Sequence, residues 1–313
     1  MIVAITGGTG FIGRQLVEQH LSLGDEVRVI SRRRASQIDL PQPVKVFQGD
    51  IADSATDLGP FVQGTDVLYH CAGEIIDLDK MHDIHIVGTE RLIAAAAGQV
   101  DHWVQLSSVA VYGPVIANVS EESPLKPIGE YGETKAKAEQ LVMAAASRNN
   151  FSYSILRPAS VFGKGMNNQS LFHIIAAVNR GYFFFVGPPG AKANCVHVAD
   201  VVRGMMACGA MPEAKNHIYN LSQSINMEDF VAVVAATLDK PAPKLRLPER
   251  PTRALAKMFS FLPGFPLTTS RVDALTTTTV YVSEKIERDL DYKPHVLLQD
   301  GLRQLVEIWR SER

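Results

Sequence analysis

The sequence is poor in cysteine, in clustered metal ligands and in long apolar runs. It has three cysteines, Cys71, Cys195 and Cys208, an odd number without a C-x-x-C pair. This usage is typical of reduced thiols in a reducing compartment. The nine histidines are scattered along the chain, whereas a metal site requires clustered ligands. We therefore expect no disulfide bond and no metal ion.

An excess of one charge and a membrane-directed segment are also missing. The formal net charge is -2, which gives nucleic acid or an anionic membrane no electrostatic attraction. No apolar run reaches the ~18 residues of a membrane span. The N-terminus carries neither a basic region nor a cleavage site. These absences predict a cytoplasmic protein that acts on a small molecule, with no nucleic-acid or membrane partner.

The first fourteen residues carry the strongest motif. Ile2 to Ile5 is an apolar run that predicts a buried strand, and a glycine-rich turn follows it at once. A helical pattern then runs to a stop at Gly24. Strand, turn and helix in this order predict a dinucleotide site with the pyrophosphate at the helix N-terminus. The residues assigned to it are Gly7, Gly10, Phe11, Ile12 and Gly13.

The end of the second predicted strand, Glu26 to Ile30, bears on the choice of dinucleotide. An acidic residue there would bind the adenosine ribose and favour NAD. This chain has Ser31 and Arg32 instead. A hydroxyl and a guanidinium suit a 2′-phosphate, because arginine makes bidentate charge-assisted bonds to phosphate. We therefore favour NADP over NAD, with a solvated basic loop as the alternative explanation.

Strand-like and helix-like segments alternate about six times as far as residue 160. This pattern predicts an α/β fold with a doubly wound parallel sheet and right-handed crossovers. We assign residues 1–165 to a dinucleotide-binding Rossmann domain and 166–313 to a smaller, mostly helical substrate-binding part. Segments at about 195–222 are expected to return to the Rossmann domain.

Tyr131 and Lys135 form the candidate catalytic pair. Their four-residue spacing at the start of a predicted helix places both side chains on one face. A nearby ammonium is expected to lower the pKa of the phenol, so that Tyr131 can exchange a proton with a carbonyl or alcohol oxygen. Ser108, at the end of the fifth predicted strand, would supply a second hydrogen bond to that oxygen.

Taken together, these motifs resemble the extended short-chain dehydrogenase/reductases, usually called the NAD-dependent epimerase/dehydratase family. The matching segments are TGGTGFIG at 6–13, GDI at 49–51, HCAG at 70–73, SSVAVYG at 107–113, YGETK at 131–135, RPASVFG at 157–163 and ERDLDYKP at 287–294. The resemblance covers nearly the whole chain.

The resemblance implies roles for individual residues. Tyr131 would be the acid/base, Lys135 would tune it and hold the nicotinamide ribose, and Ser108 would orient the substrate oxygen. Asp50 and Ile51 would contact the adenine. Further cofactor contacts are assigned to Ala72, Gly73 and Pro158. A homodimer through the helices at 79–98 and 131–146 is a further expectation from the family.

Several residues depart from the family pattern. His85 replaces the usual Asn of an N-x-x-G-T segment, and it is either a helix-packing residue or an altered polar support for the site. Val109 and Ala110 stand where sugar-nucleotide dehydratases carry Asp-Glu, which argues against dehydration. Ala193 replaces an arginine that clamps the diphosphate in many epimerases, and Lys192 lies beside it.

Other segments favour an apolar ring substrate. The stretch from Pro266 to Val272 and on to Tyr281 resembles reductases of the dihydroflavonol and 3β-hydroxysteroid type, and so does VRVISR at 27–32. The aromatic run from Phe183 to Phe185 would suit a ring, although plain core or interface packing is the favoured explanation. The substrate is therefore predicted to be either a ketosugar nucleotide or an apolar ring ketone or alcohol.

Three functions remain open from the sequence. The first is an NAD(P)-dependent reductase or dehydrogenase that moves hydride at a ring carbonyl or secondary alcohol. The second is a nucleotide-sugar epimerase with tightly bound NAD. The third is a cofactor-sensing regulator without turnover, which the presence of Tyr131, Lys135 and Ser108 disfavours.

Overall fold

Seven of the strands lie side by side in one parallel sheet. The computed structural model describes residues 1–115, 118–149, 151–166, 169–259 and 268–312. In chain order the strands are Ile2–Thr6 (β1), Glu26–Ser31 (β2), Val44–Gln48 (β3), Thr65–His70 (β4), Val100–Leu106 (β5), Asn118–Val119 (β6), Ser152–Pro158 (β7), Ser160–Phe162 (β8), Phe185–Val186 (β9), Lys192–His197 (β10), His217–Leu221 (β11), Gln223–Asn226 (β12), Arg246–Leu247 (β13) and Val280–Tyr281 (β14).

Helices connect most of these strands. In chain order they are Phe11–Ser22 (α1), Gly59–Val62 (α2), Leu78–His82 (α3), Gly88–Ala96 (α4), Gly129–Asn149 (α5), Ser170–Asn179 (α6), Val198–Ala210 (α7), Met227–Thr237 (α8), Glu249–Met258 (α9), Thr269–Thr276 (α10), Glu284–Asp289 (α11) and Leu298–Ser311 (α12).

The large sheet has the order β11-β7-β5-β4-β1-β2-β3. The chain builds β1, β2 and β3 outward on one side, then returns to add β4, β5, β7 and β11 on the other. Thr6, the last residue of β1, is level with Ile30 of β2 and His70 of β4. The order therefore reverses between β1 and β4, and ligands of such sheets bind at the carboxyl ends beside this point. The predicted doubly wound α/β fold is confirmed.

Both faces of the sheet are covered, and its inner strand β1, IVAIT, is accordingly a nearly continuous apolar run. On β1, Val3 and Ile5 pack in one core with α1 and α7, while Ala4 packs in the opposite core with residues of α4 and α5. This alternation follows from the two-residue period of a strand.

The second half of the chain builds a separate apolar core. Helices α6, α8 and α12 pack there against β10, which pairs with β12 and β8 in a three-stranded sheet. Phe183 and Phe185 belong to this core, with their rings edge to face at 5.2 Å. The aromatic run is therefore core packing, and its residues do not line the large cleft described below.

Two further features come from tertiary contacts. Residues 160–162, just after β7, form β8 because their backbone pairs with β10. The helix predicted over 79–98 contains a π-helical turn at Asp83–Val87, between α3 and α4. Strand β11 extends the large sheet beside β7, so this segment does return to the first part of the chain. The division of the chain at residue 165 stays a prediction. Pro266 and Leu267, which begin the stretch that resembles reductases, lie outside the described residues.

A buried ion pair fixes α5 to the sheet. Arg157 of β7 donates from Nε to Oε1 of Glu139 at 2.9 Å and from Nη2 to Oε2 at 2.6 Å. Although burial disfavours its charge, the Glu139 carboxylate raises the pKa of Arg157. Arg157 also donates to the Tyr112 hydroxyl at 2.7 Å, which in turn donates to Asn220 at 2.8 Å. Helix α5 carries Tyr131 and Lys135, so this pair helps to set their position.

Replacing the carboxylate tests this anchor. We expect Glu139→Gln to lower the free energy of unfolding by about 3 kcal/mol, because it leaves the Arg157 charge buried and unpaired. Urea denaturation followed by circular dichroism measures the change. Glu133→Gln, at an exposed position of the same helix, is the matched control and should have little effect. Equal stability of the two variants would contradict the anchoring role.

Candidate active site

A cleft of about 1150 Å³ opens at the carboxyl ends of β1 and β4. It is also bordered by the residues that follow β2, β3, β5 and β7. Every residue that the sequence assigned to the site lines this cleft. They are Gly7, Gly10, Phe11, Ile12, Gly13, Ser31, Arg32, Asp50, Ile51, Ala72, Gly73, Ser108, Tyr131, Lys135 and Pro158.

The glycine turn lets α1 approach β1 closely. Gly7 has φ +67°, and a Cβ there would lie 2.7 Å from the amide nitrogen of Ala72. A Cβ on Gly13 would lie 2.2 Å from the carbonyl oxygen of Gly7. Side chains are therefore excluded at both positions. The cradle of exposed backbone at the N-terminus of α1 fits a dinucleotide pyrophosphate.

The end of β2, beside the glycine turn, carries a hydroxyl and a cation. Ser31 ends β2, and its Oγ accepts a hydrogen bond from the amide of Arg33 at 3.2 Å. The Arg32 side chain borders the cleft and is exposed. Asp50 accepts a bond from the amide of Ala52 at 2.9 Å, which orders the loop after β3. The end of β2 therefore presents a cation where an NAD-specific site would present a carboxylate.

Tyr131 and Ser108 come together from α5 and from the end of β5. Burial raises the pKa of the Tyr131 phenol, and a hydrogen bond with Ser108 opposes that shift. The prediction that Lys135 lowers the pKa of Tyr131 is wrong for the protein without bound ligands, because the desolvation of the phenol has the larger effect. Tyr131 is therefore a protonated phenol at neutral pH. Ser108 Oγ also accepts from the amide of Ala110 at 3.2 Å, which fixes its orientation.

Lys135 lies one turn along α5 from Tyr131. Its Nζ donates to the carbonyl oxygen of Leu106, the last residue of β5, at 2.9 Å. Burial lowers its pKa to about 8, against the attraction of Cys71 and Glu139. The amine is close to Gly73 as well, since a Cβ there would lie 3.4 Å from Nζ.

His85 lies beneath the same wall of the cleft, 1% exposed. Its Nδ1 is 2.8 Å from Thr134 Oγ1, and its Nε2 accepts from the amide of Glu74 at 3.0 Å. The ring meets the Tyr131 ring edge to face at 5.9 Å. Burial, with the nearby Lys135 charge, lowers its pKa to about 3. His85 is thus a neutral imidazole with both nitrogens engaged.

Sequence reasoning missed the apolar part of the lining. It comes from the turn after β4, from the π-helical turn between α3 and α4, from the segments after β7 and from β14. The residues are Ile75, Ile76, Ile84, Val161, Met166 and Tyr281. Ile75 and Ile76 gave a detectable signal, because they are two adjacent apolar residues one position beyond the HCAG segment. The others depend on how distant segments fold over the sheet.

Few charges reach the cleft. Among its described lining residues, Arg32, Asp50 and Lys135 are the charged ones. Lys192, the expected neighbour of a diphosphate clamp, does not line it and donates to Asn226 Oδ1 at 2.8 Å. The cleft therefore offers a diphosphate no cation at its apolar end.

The described ranges contain no group of three or more His, Cys, Asp or Glu side chains arranged to hold a metal ion. Within the same parts of the chain, no helix combines the length and apolar character needed to cross a bilayer.

Fold and cleft together define a dinucleotide-binding oxidoreductase of the doubly wound class. The family model described as "NAD dependent epimerase/dehydratase family" matches residues 3–222. The chain belongs to this family, as the resemblance predicted, and is a dehydrogenase, reductase or epimerase of it.

Similar proteins include members with different activities. Human sterol-4-alpha-carboxylate 3-dehydrogenase, decarboxylating, is 28% identical over 99% of this chain and 88% of its own length. UDP-glucose 4-epimerase of Vibrio cholerae is 26% identical over 96% of this chain and 93% of its own. The structure of UDP-glucuronic acid 4-epimerase from Bacillus cereus in complex with NAD has a TM-score of 0.77 at 22% identity, covering 100% of this chain and 99% of that one. At this identity the structural likeness concerns the fold.

The lowered pKa of Lys135 makes a prediction about stability. Between the folded value of about 8 and the ordinary 10.5, the unfolded chain binds more protons, so stability gains with rising pH. Relative to Lys135→Met, the wild type should gain about 1 kcal/mol of unfolding free energy between pH 7 and pH 9. Urea denaturation of both proteins at the two pH values measures this difference. Parallel changes would show that the amine titrates normally.

Proposed function

We propose that the protein is an NADP-preferring reductase or dehydrogenase acting on an uncharged, apolar cyclic ketone or secondary alcohol. The observation that carries this proposal is the cleft, which Tyr131, Ser108 and Lys135 line together with a set of apolar side chains. Of the charged lining residues, Arg32 and Asp50 belong to the part of the cleft assigned to the cofactor, and Lys135 belongs to the catalytic pair with Tyr131.

The apolar lining supports the substrate class. A nucleotide sugar carries a diphosphate, which needs cations or bidentate donors to replace its hydration. Ala193 and the engaged Lys192 supply neither. Ile75, Ile76 and Met166 instead offer surface on which burial of a ring system is favourable. The similarity to a sterol dehydrogenase agrees with this class.

The dinucleotide would lie along the glycine turn. Gly7 and Gly13 leave the close backbone approach that a pyrophosphate requires. Ser31 and Arg32 would hold the 2′-phosphate of NADP, and Asp50 and Ile51 would border the adenine. Ala72, Gly73 and Pro158 would line its path toward Tyr131. Lys135 would hold the nicotinamide ribose.

The chain's own residues would manage the proton. The bound dinucleotide supplies or accepts the hydride at the reacting carbon. In reduction, the protonated phenol of Tyr131 donates to the substrate oxygen, and Ser108 holds that oxygen by a second hydrogen bond. The ammonium of Lys135 stabilises the phenolate that results. The apolar walls exclude water, which strengthens these interactions.

Nucleotide-sugar epimerisation is the second candidate. It uses the same Tyr131, Ser108 and Lys135, and the similarity to an epimerase over nearly the whole chain favours it. The two functions differ in whether the cofactor is consumed. An epimerase keeps NAD bound, whereas a reductase exchanges NADPH and oxidises one molecule for each molecule of product. Val109 and Ala110, which line the cleft beside Ser108, cannot move protons for a dehydration.

Assembly and location are proposed on simpler grounds. A homodimer would pair α3, α4 and α5 with their copies, and Met143 of α5 is 38% exposed on that surface. The three cysteines are unpaired thiols, which agrees with a reducing cytoplasm. We propose no nucleic-acid or membrane partner.

The decisive experiment is turnover by the protein as purified. After its cofactor content is determined by mass spectrometry, NADPH oxidation is followed with apolar cyclic ketones and, separately, with UDP-sugars. We expect an empty site and net NADPH consumption with the ketones. Tyr131→Phe should lower kcat by about a thousandfold, because the proton donor is lost. Tyr182→Phe, at a residue 53% exposed and outside the cleft lining, serves as the control.

Retained NAD together with interconversion of UDP-sugars would replace the reductase proposal by the epimerase. Near-normal turnover of Tyr131→Phe would refute the acid/base role. Absence of dinucleotide binding would refute both candidates.

Arg32→Ala tests the cofactor preference. Loss of a charge-assisted hydrogen bond to the 2′-phosphate should weaken NADPH binding about tenfold or more while leaving NADH nearly unchanged. Fluorescence titration with both dinucleotides measures the two dissociation constants. Arg34→Ala, outside the cleft lining, should change neither constant. If Arg32→Ala weakens both dinucleotides equally, Arg32 does not read the phosphate.

A further inference from the structure

His85 is a buried polar group beside the site to which the proposed chemistry gives no role. It lies on the π-helical turn Asp83–Val87, which places an extra residue between α3 and α4. Such turns recur at functional sites because they redirect a side chain. Here the redirected imidazole contacts the ring of Tyr131 on one side and the loop after β4 on the other.

The hydrogen bonds of His85 fix its tautomer. A backbone amide can only donate, so Nε2 accepts from Glu74 and carries no proton. In a neutral imidazole the proton is then on Nδ1, which donates to Thr134 Oγ1. The Thr134 hydroxyl sends its own proton to the carbonyl oxygen of Glu130 at 2.7 Å. Donor and acceptor roles are therefore settled along the whole chain of bonds.

These bonds connect the two walls of the cleft. Thr134 lies on α5 between Tyr131 and Lys135. Glu74 lies on the other wall, where its carboxylate accepts from the amides of Ile75 at 2.8 Å and Ile76 at 2.9 Å. Both isoleucines line the cleft. His85 thus sets the distance between the catalytic helix and the turn that carries the apolar substrate surface.

A second histidine holds the π turn from below. The Thr89 hydroxyl donates to the carbonyl oxygen of His85 at 2.7 Å, so it accepts from Nε2 of His70 at 3.0 Å. His70 Nδ1 then accepts from the Thr6 hydroxyl at 2.6 Å, and Thr6 accepts from the amide of Ala72 at 3.1 Å. The backbone at His85 is thereby tied to the strand ends beneath the cleft.

We infer that His85 is a positioning residue, which holds the Tyr131 ring and the Glu74–Asp77 turn in register for proton transfer to the substrate oxygen. It acts through Thr134 and Glu74 and takes no proton itself. This inference rests on the proposed function, since it concerns the same reaction.

Amide substitutions separate the two bonds. Asn at position 85 can keep the donor toward Thr134, and Gln can keep the acceptor toward the Glu74 amide, whereas Leu keeps neither. We expect His85→Leu to lower kcat for ketone reduction by about a hundredfold, the effect of misplacing a reacting group by about 1 Å. KM and the NADPH dissociation constant should change far less. His85→Asn or His85→Gln should recover part of kcat and show which wall matters more.

The controls distinguish positioning from other roles. His82→Asn, at an exposed residue of α3, should leave kcat and KM unchanged. The pH profile of kcat should keep its shape in His85→Asn and His85→Gln, because a neutral imidazole does not titrate in the working range. In wild-type protein, ¹⁵N-histidine NMR should show His85 protonated on Nδ1 alone.

Other outcomes would overturn the inference in identifiable ways. An unchanged kcat in His85→Leu with a lowered Tm would mean that His85 is merely structural. A shifted pH profile, or protonation on Nε2, would mean that the proton sits elsewhere than the bonds require. A wild-type protein without turnover would instead remove the proposed function, so the two failures are separable.

Discussion

The approach of α1 to β1 leaves no space for a side chain at Gly13, and the rest of the site is arranged around that contact. The carbonyl oxygen of Gly7 occupies the position that a Cβ on Gly13 would need. As a result the N-terminus of α1 opens directly onto the sheet edge, where its free amides and positive dipole end face the cleft. The reversal of strand order between β1 and β4 opens the sheet at the same place. A backbone cradle and a topological crevice thus coincide.

A second constraint is that buried polar groups must be paired. Beneath Tyr131 and Lys135 lies a network of hydrogen bonds between buried side chains. Its members are Thr6, His70, Thr89, His85 and Thr134. Burial keeps both imidazoles neutral, with pKa values lowered to about 3. Every member has a partner in this chain of bonds, so the network is rigid at little energetic cost. Rigidity beneath an acid/base residue is what proton transfer at a fixed distance requires.

The same desolvation decides the protonation states of the catalytic pair. Burial raises the pKa of Tyr131 and lowers that of Lys135. From spacing alone, the ammonium was expected to dominate and to lower the phenol's pKa. Spacing of four residues shows that two side chains share a helix face, but it says nothing about how much water remains around them. A protonated phenol suits the reductive direction, in which it gives up its proton.

Local sequence patterns were sufficient to predict the parallel sheet and the glycine turn, and to assign the site residues to one cleft. The carboxyl ends of successive parallel strands meet at one edge of a sheet, so Gly7, Arg32 and Ser108 could be grouped before any coordinates. The four-residue spacing of Tyr131 and Lys135 at a predicted helix start added the catalytic pair. The sequence likewise identified His85 as a departure from the family pattern but left its role open. Only tertiary structure decided the contacts between distant segments. It placed Phe183 and Phe185 in a core, paired β8 with β10, redirected His85 through a π turn and brought Ile75, Met166 and Tyr281 to one cleft. Those outcomes depend on packing and desolvation among residues far apart in the chain, which no local periodicity encodes.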